Sequence, residues 1–172
     1  TITGGAATDE VNFQGDVTGN VVIATDGLLT FTADKVMVGN LTTDTDGKGT
    51  LVFGTAGASK TLITGNIGTN ASLDLEAITV VTASTFTTTI ASGNIFALAI
   101  GTTGAGTTHI AGNWTGTAIT TDNLNTVTVA AGSVLTGNIL TGTNEKGTVT
   151  FAETTTDKAL ITGTLGARGG SN

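Results

Sequence analysis

The sequence repeats itself over a long distance, and this repeat constrains the fold more than any other feature. The segment GKGTLVFGTAGASKTLITGNIG, which begins at Gly47, returns as EKGTVTFAETTTDKALITGTLG from Glu145, 98 residues later and without gaps. One residue out of that register, NFQGDVTG from Asn12 matches HIAGNWTG from His109. We interpret the chain as a single domain over residues 1–172, with an internal duplication that relates 12–70 to 109–170.

A shorter unit lies within the duplication. A Gly-Asn pair followed by an apolar or aromatic residue recurs six times, and Gly163-Thr164 is a degenerate seventh copy. The pairs are Gly19-Asn20, Gly39-Asn40, Gly65-Asn66, Gly93-Asn94, Gly112-Asn113 and Gly137-Asn138. The mean interval of roughly 24 residues is typical of a solenoid, and it predicts about seven coils.

Apolar residues alternate with polar ones in short runs, which favours strands that bury one face. Leu51 and Phe53 are expected to point inward, and the run ASLDLEA is expected to turn Leu73 and Leu75 inward with Asp74 and Glu76 outward. The sequence lacks the Leu/Asn consensus of leucine-rich repeats, the long apolar periodicity of helical repeats and the G-G-x-G-x-D pattern of calcium-binding nonapeptides. We therefore predict an all-β fold, a parallel β-helix, with a β-sandwich as the alternative.

In a parallel β-helix, successive coils stack at the strand spacing of about 4.8 Å. The Gly-Asn pairs should then lie above one another at one corner, where Gly permits a positive φ and Asn side chains can form a hydrogen-bonded ladder. The phrase repeated after 98 residues should solve the same packing problem four coils further on. The absence of proline agrees with this model, because every ladder position needs its N–H.

Composition limits the possible partners. The net charge is −7 and the six Lys and Arg residues are scattered, which argues against nucleic acid as a partner. With no Cys there are no disulfides or thiolate metal sites, and no apolar run is long enough for a membrane helix. The chain opens on TITGG without Met, so we expect a processed protein or a segment of a longer one.

The residues that could support catalysis or metal binding are few. His109 is the sole histidine and is expected to be a solvent-facing strand residue, and the carboxylate pairs lie on solvated faces. The turn DTDGKGT offers Asp44 and Asp46 as candidate Ca²⁺ ligands, but Phe53 occupies the position where a calcium loop has its bidentate Glu. We expect no enzymatic activity and no cofactor, and we expect Trp114 to fill the core.

The phrases LITGNIGTN, VLTGNILTG and GKGTLVF resemble the β-helical passenger repeats of bacterial autotransporter surface proteins, closest in character to the large rickettsial outer-membrane surface antigens. The resemblance covers most of the chain and involves structural motifs, so it transfers no functional residue. It implies a β-helix displayed outside the bacterial cell.

Two functions follow as hypotheses. The first is a non-enzymatic structural or adhesive protein of the bacterial cell surface, which contacts host or neighbouring-cell molecules over a broad area. The second is a self-assembling subunit of an extracellular filament or S-layer, because the strand edges at the ends of a solenoid can pair with another copy.

Overall fold

The structure, a computed structural model, describes residues 10–24, 26–91, 93–122, 124–142, 147–154, 156 and 160–167. These residues form β-strands and no helix. The strands are β1 (Glu10–Phe13), β2 (Val17–Thr18), β3 (Val21–Ile23), β4 (Leu28–Phe31), β5 (Met37–Val38), β6 (Leu41–Thr43), β7 (Thr50–Thr55), β8 (Lys60–Thr64), β9 (Leu75–Thr82), β10 (Thr87–Ala91), β11 (Asn94–Thr103), β12 (Thr107–Ile110), β13 (Asn113–Thr121), β14 (Thr126–Val129), β15 (Val134–Thr141), β16 (Thr148–Phe151), β17 (Leu160–Thr162) and β18 (Leu165–Ala167).

Each turn of the chain adds one rung to three stacked columns of parallel strands. The first column contains β1, β4, β7, β9, the C-terminal parts of β11, β13 and β15, and β18. The second is the seven-stranded sheet β2-β5-β8-β10-β12-β14-β16. The third contains β3, β6, the bridge residue Ile67, the N-terminal parts of β11, β13 and β15, and β17. The predicted parallel β-solenoid is therefore confirmed.

The solenoid has about six turns of about 21 residues, not the predicted seven coils of 24. The seven stacked strands of the second column enclose only six turn-to-turn steps. In addition, the interval from Gly112 to Gly137 runs past a full turn, because Gly137 lies at a different corner from Gly112. The steps themselves vary: Glu10 pairs with Leu28 after 18 residues, and Thr50 pairs with Ala77 after 27.

The core lies inside the coil and is built from alternate residues of each strand. β4, β12 and β14 all show the alternation of half-buried and buried side chains that a one-sided strand requires. One inward position of the first column changes character from rung to rung, in the order Phe13, Phe31, Phe53, Val80, Thr102, Thr121 and Thr141. The hydroxyls of the last three make no hydrogen bond within the described residues, so the interior becomes more polar towards the C-terminal end.

The 98-residue duplication does not place its copies in equivalent positions, contrary to the sequence-based prediction. Leu51 lies in the first column, where it pairs with Ile78, whereas its counterpart Val149 pairs with Val127 in the second column. Ile63 of the second column likewise corresponds to Ile161 of the third. The copies are thus separated by four turns and one further column. The three columns are similar enough that one sequence phrase fits any of them.

Candidate functional site

The corner between the second and third columns carries a line of asparagines, a repeated polar feature of the described residues. The Oδ1 atom of Asn20 accepts a hydrogen bond from the backbone N–H of Asn40, Asn40 accepts one from Asn66, and Asn66 accepts one from Asn94, each at 2.9 Å. Asn113 continues the line by donating from Nδ2 to Oδ1 of Asn94 at 3.3 Å. We call these five residues the asparagine corner. Its side chains join each coil to the next.

The glycines that precede three of these asparagines approach one another closely. Gly19, Gly39 and Gly65 have φ values of 129°, 141° and 140°, in the region that side chains disfavour. A Cβ on Gly39 would overlap the carbonyl oxygen of Gly19, and a Cβ on Gly65 would overlap that of Gly39. Conformation therefore favours glycine at all three positions, and lack of space also requires it at Gly39 and Gly65.

The predicted corner is wrong for its last pair. The Oδ1 atom of Asn113 accepts a hydrogen bond from the backbone N–H of Val134, and not from that of Asn138. Asn138 pairs with Ala118 in the first column, and its Oδ1 accepts from the N–H of Thr164 at 3.0 Å. Gly137 and Asn138 thus form the same motif at the corner between the third and first columns. Gly112, unlike Gly137, does not have a positive φ.

Replacing Asn66 by alanine should lower the free energy of unfolding by about 1 kcal/mol, because the N–H of Asn94 loses its acceptor at a site that water can reach. Urea unfolding followed by circular dichroism measures this change. Asn66→Asp is the matched control, since it keeps an acceptor oxygen at the same place. Equal losses in the two variants would show that the acceptor is not what matters.

The candidate calcium turn lies against an aspartate of the next coil. Asp74 is 5% exposed, and both its Oδ1 and its carbonyl oxygen accept from the N–H of Gly47 at 3.1 Å. Burial raises the pKa of Asp74, and the neighbouring carboxylate of Asp46 raises it further. The expectation that Asp74 faces solvent is wrong, because it lies in the turn before β9 and folds under the Asp44–Asp46 loop. Leu73, which the alternating pattern of ASLDLEA predicted to point inward, is only half-buried.

Asp74 lies against the turn that holds the candidate Ca²⁺ ligands Asp44 and Asp46, but these residues do not form a ligand shell in the described structure. Asp44 accepts a hydrogen bond from the Thr45 hydroxyl at 3.1 Å. Within the described segments, no three His, Cys, Asp or Glu side chains are grouped closely enough to hold a metal ion.

Asp74→Asn should stabilise the protein at neutral pH. A carboxyl whose pKa is raised in the folded state contributes stability at low pH, and this contribution is lost as the pH rises from its ordinary value of 3.8 through its folded value. Asn mimics the protonated acid and keeps an acceptor for Gly47, so the variant should avoid this loss. We expect the gap between variant and wild type in urea midpoint to close as the pH falls below 4.

The exposed Asp44 provides the matched control for that pH profile. Asp44→Asn changes the same turn and the same net charge, so comparison with it isolates the effect of the buried carboxyl of Asp74. A gap between Asp74→Asn and wild type that does not change with pH would contradict the assignment.

Asp26 and Asp34 also bridge coils, and neither contact was predicted from the sequence. Asp26 accepts from Nζ of Lys48 at 2.9 Å, and this contact lowers the pKa of Asp26. Asp34 has a positive φ of 67°, and its two carboxylate oxygens accept from the N–H groups of Ala56 and Gly57 at 3.0 and 2.8 Å. The available sequence signal was an Asp next to a strand end, one turn before a Gly-rich loop.

His109 lies on the outer face of β12, half-buried between neighbouring strands. Its Nδ1 makes a 2.8 Å hydrogen bond with the hydroxyl of Thr128 on the next strand, and burial lowers the pKa of its imidazole. A cleft of about 430 Å³ is lined by the ends of β4, β7 and β9, and another of about 250 Å³ by Asp26, Thr50 and Glu76. Neither lining includes His109. The histidine and these clefts are separate features.

No protein-family model, no curated protein and no solved structure matches this chain. What the resemblance to autotransporter passengers implied about architecture, a β-solenoid, is present. Within the described segments, no helix has the length and hydropathy needed to span a membrane.

Proposed function

We propose that the chain is a non-enzymatic structural and adhesive β-solenoid of the bacterial cell surface, as in the passenger repeats that its phrases resemble. Its role is to hold a stiff rod whose long faces meet other molecules over an area. The observation that supports this proposal is that polar side chains form contacts between adjacent coils.

The side chains that would otherwise be candidates for chemistry hold one coil to the next. Asp16 accepts from the N–H of Val36 one turn later at 2.9 Å, and Asp34 does the same for Ala56. Asp26 pairs with Lys48 and His109 with Thr128, also across one turn. Such an arrangement favours rigidity of the rod over a catalytic centre.

Labelling of intact source cells with antibodies against the chain tests its location, and beads coated with the chain test adhesion to host cells or to cells of the same culture. Surface labelling together with bead binding above that of albumin-coated beads would support the proposal. Absence of surface labelling would contradict the location, and release of reducing ends from a polysaccharide panel would contradict the non-enzymatic role.

The second candidate, a self-assembling filament subunit, is favoured by the rungs at the two ends of the described solenoid. At one end Phe13 is half-buried and stacks on Phe31 with ring centroids 5.0 Å apart. At the other end Leu160 and Leu165 are more than half exposed. End-to-end stacking of copies would cover both layers.

Sedimentation velocity over a hundredfold concentration range, with electron microscopy of the same samples, tests assembly. Growth into rods longer than one copy, reduced in a Leu165→Glu variant, would support the filament. Single short rods at every concentration would contradict it.

A further inference from the structure

One face of the solenoid presents a regular grid of threonines. β10, β12, β14 and β16 pair in strict register, and no irregularity interrupts the three pairings. Alternate residues of β12 and β14 are buried, so the remaining ones face outward in two lines along the rod. We call these eight outward residues the threonine face: Thr87, Thr107, Thr126 and Thr148 in one line, and Thr89, His109, Thr128 and Thr150 in the other.

The backbone fixes the spacing of this grid in two directions. Neighbouring strands place equivalent side chains about 4.8 Å apart along the rod, and residues two apart on one strand lie about 6.6–6.8 Å from each other. Threonine is β-branched and has few χ1 rotamers, so its hydroxyl and methyl positions are largely set before any ligand arrives. Little side-chain entropy would then be lost on binding.

The hydroxyls of this grid, apart from that of Thr128, are free to bind a ligand, and the grid is uncharged. Within the described part of the chain, the hydrogen bond between His109 and Thr128 is the one side-chain hydrogen bond made by the eight residues. The net charge of −7 comes from residues outside the threonine face, for example Asp26 and Asp34 at other corners. Each threonine of the face therefore offers a hydroxyl and a methyl group, and these recur at fixed intervals.

We propose that the threonine face binds ice. An uncharged surface that repeats in two directions matches a ligand that also repeats in two directions. The spacing along the rod lies close to the shorter repeat of the oxygen lattice on the prism faces of ordinary ice, and the spacing along a strand is somewhat shorter than the longer repeat. Hydroxyls can anchor lattice water molecules while the methyl groups fit between them. This inference goes beyond the surface role and does not depend on it.

Other ligand classes fit this face less well. A protein partner would need aromatic or arginine anchors in a well-packed centre, and a polyanion would need basic residues. The eight positions contain neither aromatic hydrocarbon side chains nor Lys or Arg. A crystalline polysaccharide also repeats in two directions, so the experiment below tests binding to one as an alternative outcome.

His109 is the single break in the grid. It stands where the pattern would have threonine, and its imidazole ties up the hydroxyl of Thr128. His109→Thr should complete the line and free that hydroxyl. The variant should therefore bind ice better than the natural chain.

The experiment measures thermal hysteresis, inhibition of ice recrystallisation and incorporation of the labelled full chain into a growing ice hemisphere. Thr126→Tyr places a bulky ring in the middle of the grid and should abolish all three activities. Thr79→Tyr is the matched control, since Thr79 is a half-buried outward residue of β9 in the first column. Circular dichroism and melting curves establish that each variant is folded.

Ice incorporation by wild type and by Thr79→Tyr, its loss in Thr126→Tyr and a gain in His109→Thr would support the proposal. It is overturned if wild type behaves as albumin does at equal concentration, or if the two tyrosine variants are equally active. It is also overturned if the chain binds crystalline cellulose or chitin but is excluded from ice. If Thr126→Tyr fails to fold, Thr107→Val and Thr126→Val, which keep the shape and remove the hydroxyls, take its place with the same expected loss.

Discussion

Replacing Trp114 by alanine should lower the free energy of unfolding by about 3–5 kcal/mol, the largest effect of any single side-chain truncation proposed for this chain. The indole is fully buried, and its Nε1 donates to the carbonyl oxygen of Ala97 at 3.1 Å. Gly116 and Gly137 make room for the ring, since a Cβ on either would overlap it. Alanine would leave a cavity that these rigid neighbours cannot fill, together with an unpaired carbonyl.

Urea unfolding followed by far-ultraviolet circular dichroism is the appropriate measurement, because the variant loses the sole tryptophan and with it the fluorescence signal. Trp114→Phe keeps most of the apolar volume and loses only the N–H, so it should lie between wild type and alanine. A loss below about 1 kcal/mol for Trp114→Ala would mean that the coils collapse around the missing ring, against the close packing expected of protein interiors.

Gly39→Ala should cost about 2–4 kcal/mol, because it combines an unfavourable φ of 141° with overlap between the new Cβ and the carbonyl of Gly19. Gly19→Ala provides a matched control at the same corner. Gly19 has a similar φ of 129°, but nothing lies within 4 Å of its Cβ position, so the conformational cost of about 1–2 kcal/mol should stand alone.

The difference between these two alanine variants measures the steric cost of stacking one coil on the next. Thermal melts and urea titrations of both give it directly. Equal destabilisation in the two variants would contradict the view that coil-to-coil contact, and not φ alone, requires glycine at this corner.

The sequence predicted the architecture well because the architecture depends on local patterns. Alternation places Leu51 and Phe53 inside the coil, and both are buried. Repeated Gly-Asn pairs predict a stacked corner, and the hydrogen bonds from Asn20 through Asn94 form one.

The same patterns could not reveal where one column ends and the next begins. Gly137-Asn138 reads like its relatives but lies at another corner, because the turn from the second to the third column can also be made by Ala131, Gly132 and Ser133. The partners of Asp34 and Asp74 depend on which loop lies one turn away. Loop length varies from turn to turn, so spacing alone could not identify them. The threonine face was present in the sequence as Thr-x-Thr repeats, but only the register of β10, β12, β14 and β16 makes it a surface.

The direction of the strand ladders has a mechanical consequence. Hydrogen bonds between coils run along the rod, so a force that pulls the two ends of the chain apart loads them one rung at a time, as in opening a zipper. Each coil of about 21 residues should come away as a unit. At about 3.3–3.6 Å per extended residue it would release a length of roughly 70 Å. A rod of this kind would lengthen in steps under tension and shorten again as coils rejoin, and it would limit the load on whatever it is attached to.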